Sequence, residues 1–233
     1  MRALALQTSS GSPQRTGSAM AITTDPALQS AIEALSVPGI LIGHRLISPG
    51  DEDALLPQEA PAFASSVVKV RRASGAARIV ARELLTRLGY PECALPRGPS
   101  GGPIWPRNVL GSLTHDARFA LAAVGSSRDY IALGIDVEPA EVLPPDLLGL
   151  VATLRERTSL SADPYHGRLL FAAKEAVYKA VHPLDGIFLE HHDVEIDFSR
   201  RKATVRNGRL VELRFCLSTH LVALAFIPRL QHA

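Results

Sequence analysis

Asp136 and Glu138 stand two residues apart at the end of the apolar run "LGIDVEP", and in a strand that spacing sends both carboxylates to one face. Neighbouring acids repel each other unless something positive lies between them. A hard divalent cation such as Mg²⁺, which takes carboxylates, waters and phosphate oxygens together, meets that need; a strand mouth open to water meets it as well. A third carboxylate, Glu175, lies between Lys174 and Lys179 in "FAAKEAVYKAV", residues 171–181. Leu170, Ala173, Val177 and Val181 there form one apolar helical stripe, with Glu175 and Lys179 a turn apart on another side. The plain account of that pair is a solvated i, i+4 ion pair worth about 0.3–0.5 kcal/mol.

Two further stretches share an affinity for anions. In "GSLTHDARFALAAVG", His115 approaches a strand behind Gly111, Ser112 and Thr114. Hydroxyl, imidazole and backbone amides suit a phosphate, although a histidine so placed is commonly a structural hydrogen-bonding group. Between Ser65 and Leu88 the pattern is helical, and Lys69, Arg71, Arg72, Arg78, Arg82 and Arg87 face only Glu83. Arg71, Arg78 and Arg82 fall within a narrow arc, which a solvated helix face would also explain. Neither a Gly-x-x-x-x-Gly-Lys-Ser/Thr loop nor a Gly-x-Gly-x-x-Gly turn is present, which disfavours a conventional nucleotide cradle. Together the basic helix, the phosphate-suited loop and the three acids describe a site for a magnesium-chelated pyrophosphate.

The elements that must position these residues follow from periodicity. "GILIGHRL" (39–46) reads as a strand, "DEDALLPQEAP" (51–61) as a charged loop leading into the basic helix, and "LPRGPSGGPIWP" (95–106) as a loop. "RFALAAVG" (118–125) and "YIALGIDVE" (130–138) alternate as neighbouring strands. "PPDLLGLVATLRER" predicts one short helix entered through its prolines, and a helix over 165–182 precedes three strand-like runs with an Asn-Gly turn at Asn207 and Gly208. Two successive blocks of helix then strands predict an α+β fold of two similar α/β lobes in a pseudo-twofold arrangement. The expected division is a flexible N-terminal extension over 1–25, an N-terminal lobe over 26–130 and a C-terminal lobe with the metal site over 131–233.

Composition narrows the class. With 233 residues, 46% hydrophobic and 21% charged, the chain can bury a substantial core. A net charge of +2 is too even for a general nucleic-acid or membrane surface, so any polyanion site must be local. Cys93 and Cys216 show neither metal-ligand spacing nor a disulfide framework. No apolar run reaches the roughly 18 residues a membrane helix needs. The expectation is a cytoplasmic monomer with no nucleic-acid or membrane partner.

The order "RRASGAARIVARELLTRLG", "PRGPSGGPIWPRNVLGSLTH", "GIDVEP", "RLLFAAKEAVYKAVHPLDG" resembles the long, pseudo-dimeric class of 4'-phosphopantetheinyl transferases. The resemblance implies Mg²⁺-dependent transfer of the phosphopantetheine arm of coenzyme A to a serine of a carrier protein, with release of adenosine 3',5'-bisphosphate. The carriers would be acyl or peptidyl carrier proteins of non-ribosomal peptide, polyketide, siderophore or fatty-acid synthases. It implies that Asp136, Glu138 and Glu175 hold Mg²⁺, that Glu175 serves as general base and that Lys179 binds the pyrophosphate and stabilises the leaving group. Arg71 and Arg78 would grip the nucleotide phosphates, with Arg72 as the substitute for Arg71. Arg97, Gly98 and Ser100 would close over the adenosine end, and Thr114 and His115 would meet the 3'-phosphate. Leu189 would flank the pantetheine channel, and Lys174 would snorkel or touch the cofactor. Ser100 stands where many relatives carry lysine or arginine, one phosphate contact fewer. The carrier is expected to dock near Leu147, Leu148 and Val151. Two rival readings of the same residues are a metal-dependent nucleotide or phosphodiester hydrolase and a non-catalytic module that binds coenzyme A or another polyanion.

Overall fold

The computed structural model describes residues 24–230. The extension expected over 1–25 lies outside the described residues except at its end, where the Asp25 carboxylate accepts from the Leu28 amide and caps α1 (Pro26–Glu33). That helix was not anticipated, although Asp-Pro is a strong start signal.

Two antiparallel sheets pack face to face, each with a 20-residue helix on its outer side. The first sheet has the order β1-β3-β2, from β1 (Ile40–Leu46), β2 (Val109–His115) and β3 (Phe119–Ser126). The second has the order β4-β8-β7-β6-β5, from β4 (Tyr130–Pro139), β5 (Val194–Asp197), β6 (Lys202–Val205), β7 (Leu210–Leu217) and β8 (His220–Pro228). Strand alternation builds the layers. In β3, Ala122 and Val124 meet Val80, Ala81 and Leu84 of α2 (Val68–Arg87), while Phe119, Leu121 and Ala123 face the second sheet. Leu133, Ile135 and Val137 of β4 fill the space between the sheets with Val222, Leu224 and Phe226 of β8. The other face of β4 receives α5 (His166–Asp185). This is the expected α+β architecture, with strand β2 added where a loop and an approach were foreseen.

The seam between β4 and α5 is unusually close. A Cβ on Gly134 would lie far inside contact distance of the Ala176 carbonyl oxygen and 2.6 Å from the Ala180 amide nitrogen. The α5 face toward the sheet is accordingly small, with Ala172, Ala173, Ala176 and Ala180 all buried. On the same face of β4 as Gly134, two and four residues on, stand Asp136 and Glu138.

Buried charge pairs fix both outer helices, and they correct two readings. The basic stripe on α2 is not a solvated face: Arg78 is buried, and Arg82 donates to Glu59 at 3.0 Å. Glu59, fully buried in the stretch read as a charged loop before α2, also accepts from the Leu56 and Leu95 amides. The single helix expected over 144–157 is two, α3 (Pro145–Val151) and α4 (Leu154–Ser159), because Thr153 starts a new helix with a capping box to Glu156. Glu156 also accepts from the Ile196 amide and from Lys174, joining α4, β5 and α5.

Gly134→Ala should lower stability by at least the ~1–3 kcal/mol typical of overpacking, since backbone rather than a movable side chain fills the space. An unchanged urea midpoint would mean that β4 does not press on α5. Lys174→Met, which leaves Glu156 buried without its cation, should cost about 3–5 kcal/mol by the same measurement. A loss under 1 kcal/mol would contradict the buried-pair assignment.

Candidate active site

Glu175, Lys179 and His182 fall along one edge of α5, and Gly134 brings that edge beside the end of β4. Lys179 Nζ donates to Asp136 Oδ1 at 2.6 Å and reaches the Ile135 carbonyl oxygen at 3.3 Å. The Thr114 hydroxyl, from β2 of the other sheet, donates to the same Oδ1 at 2.9 Å. Asp136 is thus buried where both sheets and α5 meet, yet its Oδ2 has no partner among the described residues. A buried carboxylate oxygen without a donor calls for a ligand or water.

Glu138 accepts from Arg168 Nη1 at 3.1 Å. Burial, reinforced by Asp136, pushes its carboxyl up to about 6. The Glu175 carboxyl is likewise raised, by burial first and then by Asp136, with Lys179 opposing. Its Oε1 lies 4.0 Å from His191 Nδ1. Among the described residues no three His, Cys, Asp or Glu side chains converge on one point as they stand. Each acid is instead turned to a neighbouring side chain. The donor set still fits a hard cation: all three groups are carboxylates, Asp136 raises the proton affinity of the other two, and its orphaned Oδ2 is available.

Two cavities open along this edge. The first, about 560 Å³, is lined by Arg78, Arg97, Ser100, His115, Lys179 and His182 among others, a basic wall suited to phosphates. Arg78 reaches it from within α2, its Nε and Nη1 bonded to the Leu95 and Ser74 carbonyl oxygens. Arg97 and Pro103 bridge to close a tight loop, in which the Gly98 amide donates to the Gly102 carbonyl oxygen. Gly98 therefore shapes the loop that presents Arg97 and Ser100 rather than lining the cavity. The His115 ring titrates below its ordinary value through desolvation, with Lys179 adding to the shift. Gly111 has a simple part: the Trp105 ring lies on it where a Cβ would stand. The second cavity, about 450 Å³, contains Glu175, Phe188, Leu189 and His191. Tyr178 lines both.

Three expected contacts differ. Arg71 lies on a separate surface cleft with Glu52 and donates to the Ser66 carbonyl oxygen at 2.9 Å, and Arg72 forks onto Glu52, so neither faces the basic cavity. Lys174 neither snorkels nor offers a donor to a cofactor: all three N–H groups go to Val151 O, Glu156 Oε2 and His191 O, at 2.7–2.8 Å. Thr114 bonds Asp136 instead of the cavity wall. Of the docking residues foreseen, Val151 is in the core, Leu148 packs against it and Leu147 is exposed; Leu150, which was not foreseen, is exposed as well. Residues missed from sequence are Arg168, Tyr178, His182 and the Asp116–His220 pair, joined at 2.8 Å. Arg168 was detectable, since it precedes Glu175 by seven residues and so shares its helix edge.

Comparisons with known proteins show the family. Residues 58–125 match the family model described as 4'-phosphopantetheinyl transferase N-terminal domain, and residues 132–225 match the 4'-phosphopantetheinyl transferase superfamily. The chain is 38% identical over 180 residues to the 4'-phosphopantetheinyl transferase Npt of Nocardia iowensis, covering 76% of this chain and 81% of that protein. It is 39% identical over 160 residues to 4'-phosphopantetheinyl transferase PptT of Mycobacterium tuberculosis, covering 67% and 70%. To 4'-phosphopantetheinyl transferase Svp of Streptomyces mobaraensis it is 40% identical over 156 residues, covering 64% and 63%. Both halves match in order, with Asp136, Glu138, Glu175 and Lys179 inside the second match, and the chain belongs to the 4'-phosphopantetheinyl transferase family, whose members transfer the phosphopantetheine of coenzyme A to carrier proteins.

Proposed function

We propose that this chain is a Mg²⁺-dependent transferase that moves the phosphopantetheine arm of coenzyme A to a carrier-protein serine, acting as a cytoplasmic monomer of two lobes, 26–130 and 131–233, with coenzyme A between them. The observation that carries the reading is the orphaned Asp136 Oδ2, placed beside Lys179 where α5 borders a basic cavity on one side and the Glu175 cavity on the other. Arg78, Arg97 and His115 bind the nucleotide phosphates in the first cavity, under the loop that carries Ser100. The pantetheine arm runs past Tyr178 toward Leu189.

Asp136, Glu138 and Glu175 would hold the ion, and what it supplies when bound is neutralisation of the pyrophosphate charge. Lys179 places its ammonium where charge grows on the leaving phosphate. The serine oxygen bonds to the β-phosphorus of coenzyme A, the bond from that phosphorus to the bridging oxygen breaks, and adenosine 3',5'-bisphosphate leaves with the electron pair. The serine proton passes to Glu175, whose proton affinity burial and Asp136 raise above that of an ordinary carboxylate. The carriers are the acyl or peptidyl carrier proteins of peptide, polyketide, siderophore or fatty-acid synthases. Exposed Leu150 and Phe188, which line the Glu175 cavity, offer them an apolar rim.

Intact-mass measurement of an apo carrier with coenzyme A and Mg²⁺ tests the reading. The parent protein should add one phosphopantetheine arm, and Glu175→Ala should add none while melting as a folded protein; full transfer by the variant would remove Glu175 from the chemistry. Release of adenosine bisphosphate without a carrier would point to hydrolysis instead. Stability against pH gives a second check. Glu138 in the fold titrates at about 6, above its ordinary 4.5. Its contribution to stability is therefore intact below 4.5 and lost as pH rises through about 6, which leaves the ionised form working against the fold. Metal-free Glu138→Gln should gain on the parent above that pH by up to about 2 kcal/mol, the loss of the Arg168 pair reducing the gain. An advantage that shrinks as pH rises would contradict the burial of that charge.

A further inference from the structure

Arg168 lies in the first turn of α5, and Glu175 and Lys179 follow it at seven and eleven residues along the same edge. Its Nη1 donates to Glu138 Oε2 at 3.1 Å, and its Nη2 reaches only the Val142 carbonyl oxygen at 3.4 Å. Its Nε is buried with no partner among the described residues. Both side chains of the pair are mostly covered, 16% exposed for Arg168 and 20% for Glu138. Arg45 and Arg209 also leave a buried Nε unpaired beside Asp51 and Asp185, so what distinguishes Arg168 is the acid that it holds. What its position does achieve is to place a positive charge on Glu138, as Lys179 does on Asp136 at 2.6 Å. Two cations thus offset most of the charge of Asp136, Glu138 and Glu175 before any ion arrives. A divalent cation that enters must separate Glu138 from Arg168 or bind beside a guanidinium.

We infer that Arg168 is an internal competitor for the metal: it holds Glu138 in the free protein, keeps affinity for a bare cation low, and yields the carboxylate when the cation arrives with the pyrophosphate of coenzyme A. The inference rests on the assignment of Asp136, Glu138 and Glu175 to the ion. Arg168 is then a positioning residue that couples the loading of metal and cosubstrate, since the phosphate charge tips a site that is otherwise near balance.

Titration of Mn²⁺ into the protein without coenzyme A, read by electron paramagnetic resonance of the free ion, tests this. Arg168→Gln should bind Mn²⁺ about tenfold more tightly than the parent, the scale on which groups neighbouring a ligand tune metal affinity. Arg168→Lys should stay near the parent. Arg168→Met, which keeps the apolar stem, repeats the test should the glutamine variant fold poorly. Mn²⁺ affinity unchanged or weakened in both neutral variants would overturn the inference, since Arg168 would then merely orient Glu138. If Asp136→Asn leaves the parent's Mn²⁺ affinity intact, the ion lies elsewhere, and the metal assignment falls together with the inference. Metal-free Arg168→Gln should also melt below the parent and regain more stability on adding Mg²⁺; an equal gain in both proteins would count against competition.

Discussion

The approach of β4 to α5 at Gly134 determines what the rest of the site can do. A strand and a helix normally meet through side chains, which keep their backbones apart. Here the missing Cβ of Gly134 and the run of alanines on α5 remove that spacer. Lys179 can then reach both a backbone carbonyl oxygen and a carboxylate of β4. The strand period does the rest, because Gly134, Asp136 and Glu138 share one face and the close approach at the first carries to the other two. Burial follows from the same contact, and burial is what raises the proton affinity of Glu138 and Glu175.

Charge is used in two different ways on the two outer helices. Glu59 with Arg82, and Glu156 with Lys174, are acids almost fully matched by donors: each accepts backbone amides as well as its cation. Such networks tie separate elements together and are costly to break on one side. At the β4–α5 seam, by contrast, acids outnumber cations, and two buried atoms from different pairs, Oδ2 of Asp136 and Nε of Arg168, are left without bonds. Among the described residues Asp136 Oδ2 is the one buried carboxylate oxygen without a donor, and that marks the seam as a site for something else. The basic cavity on one side and the partly apolar cavity on the other match a ligand that is anionic at one end and extended at the other.

What was legible in the sequence was short-range. Period two located β3 and β4 and put Asp136 and Glu138 on one face; period 3.6 located α2 and α5 and set Glu175 a turn from Lys179. The strand β2 was obscured because Gly111 and Ser112 interrupt its apolar alternation, and their reasons are distant: a ring lying on the glycine and a hydroxyl that accepts from the Ile135 amide. The α2 arginines were obscured for a similar cause, since the partner of Arg82 lies 23 residues earlier, in a stretch whose pattern gives only a charged loop. Lys174 beside Glu175 could be sorted only by knowing that α3 ends and α4 begins underneath it. Helical position gave the direction of each side chain, but not the element that occupies that direction.

A double-mutant cycle on Asp136→Asn and Lys179→Met, read as unfolding free energy of the metal-free protein, tests the seam most directly. Side chains joined at 2.6 Å across a packed strand and helix must couple, so the cycle should leave an interaction energy clearly above the ~0.3–0.5 kcal/mol scatter of independent sites. Additive losses would show that Lys179 and Asp136 do not share one site, and the arrangement of acids, lysine and cavities around Gly134 would lose its basis.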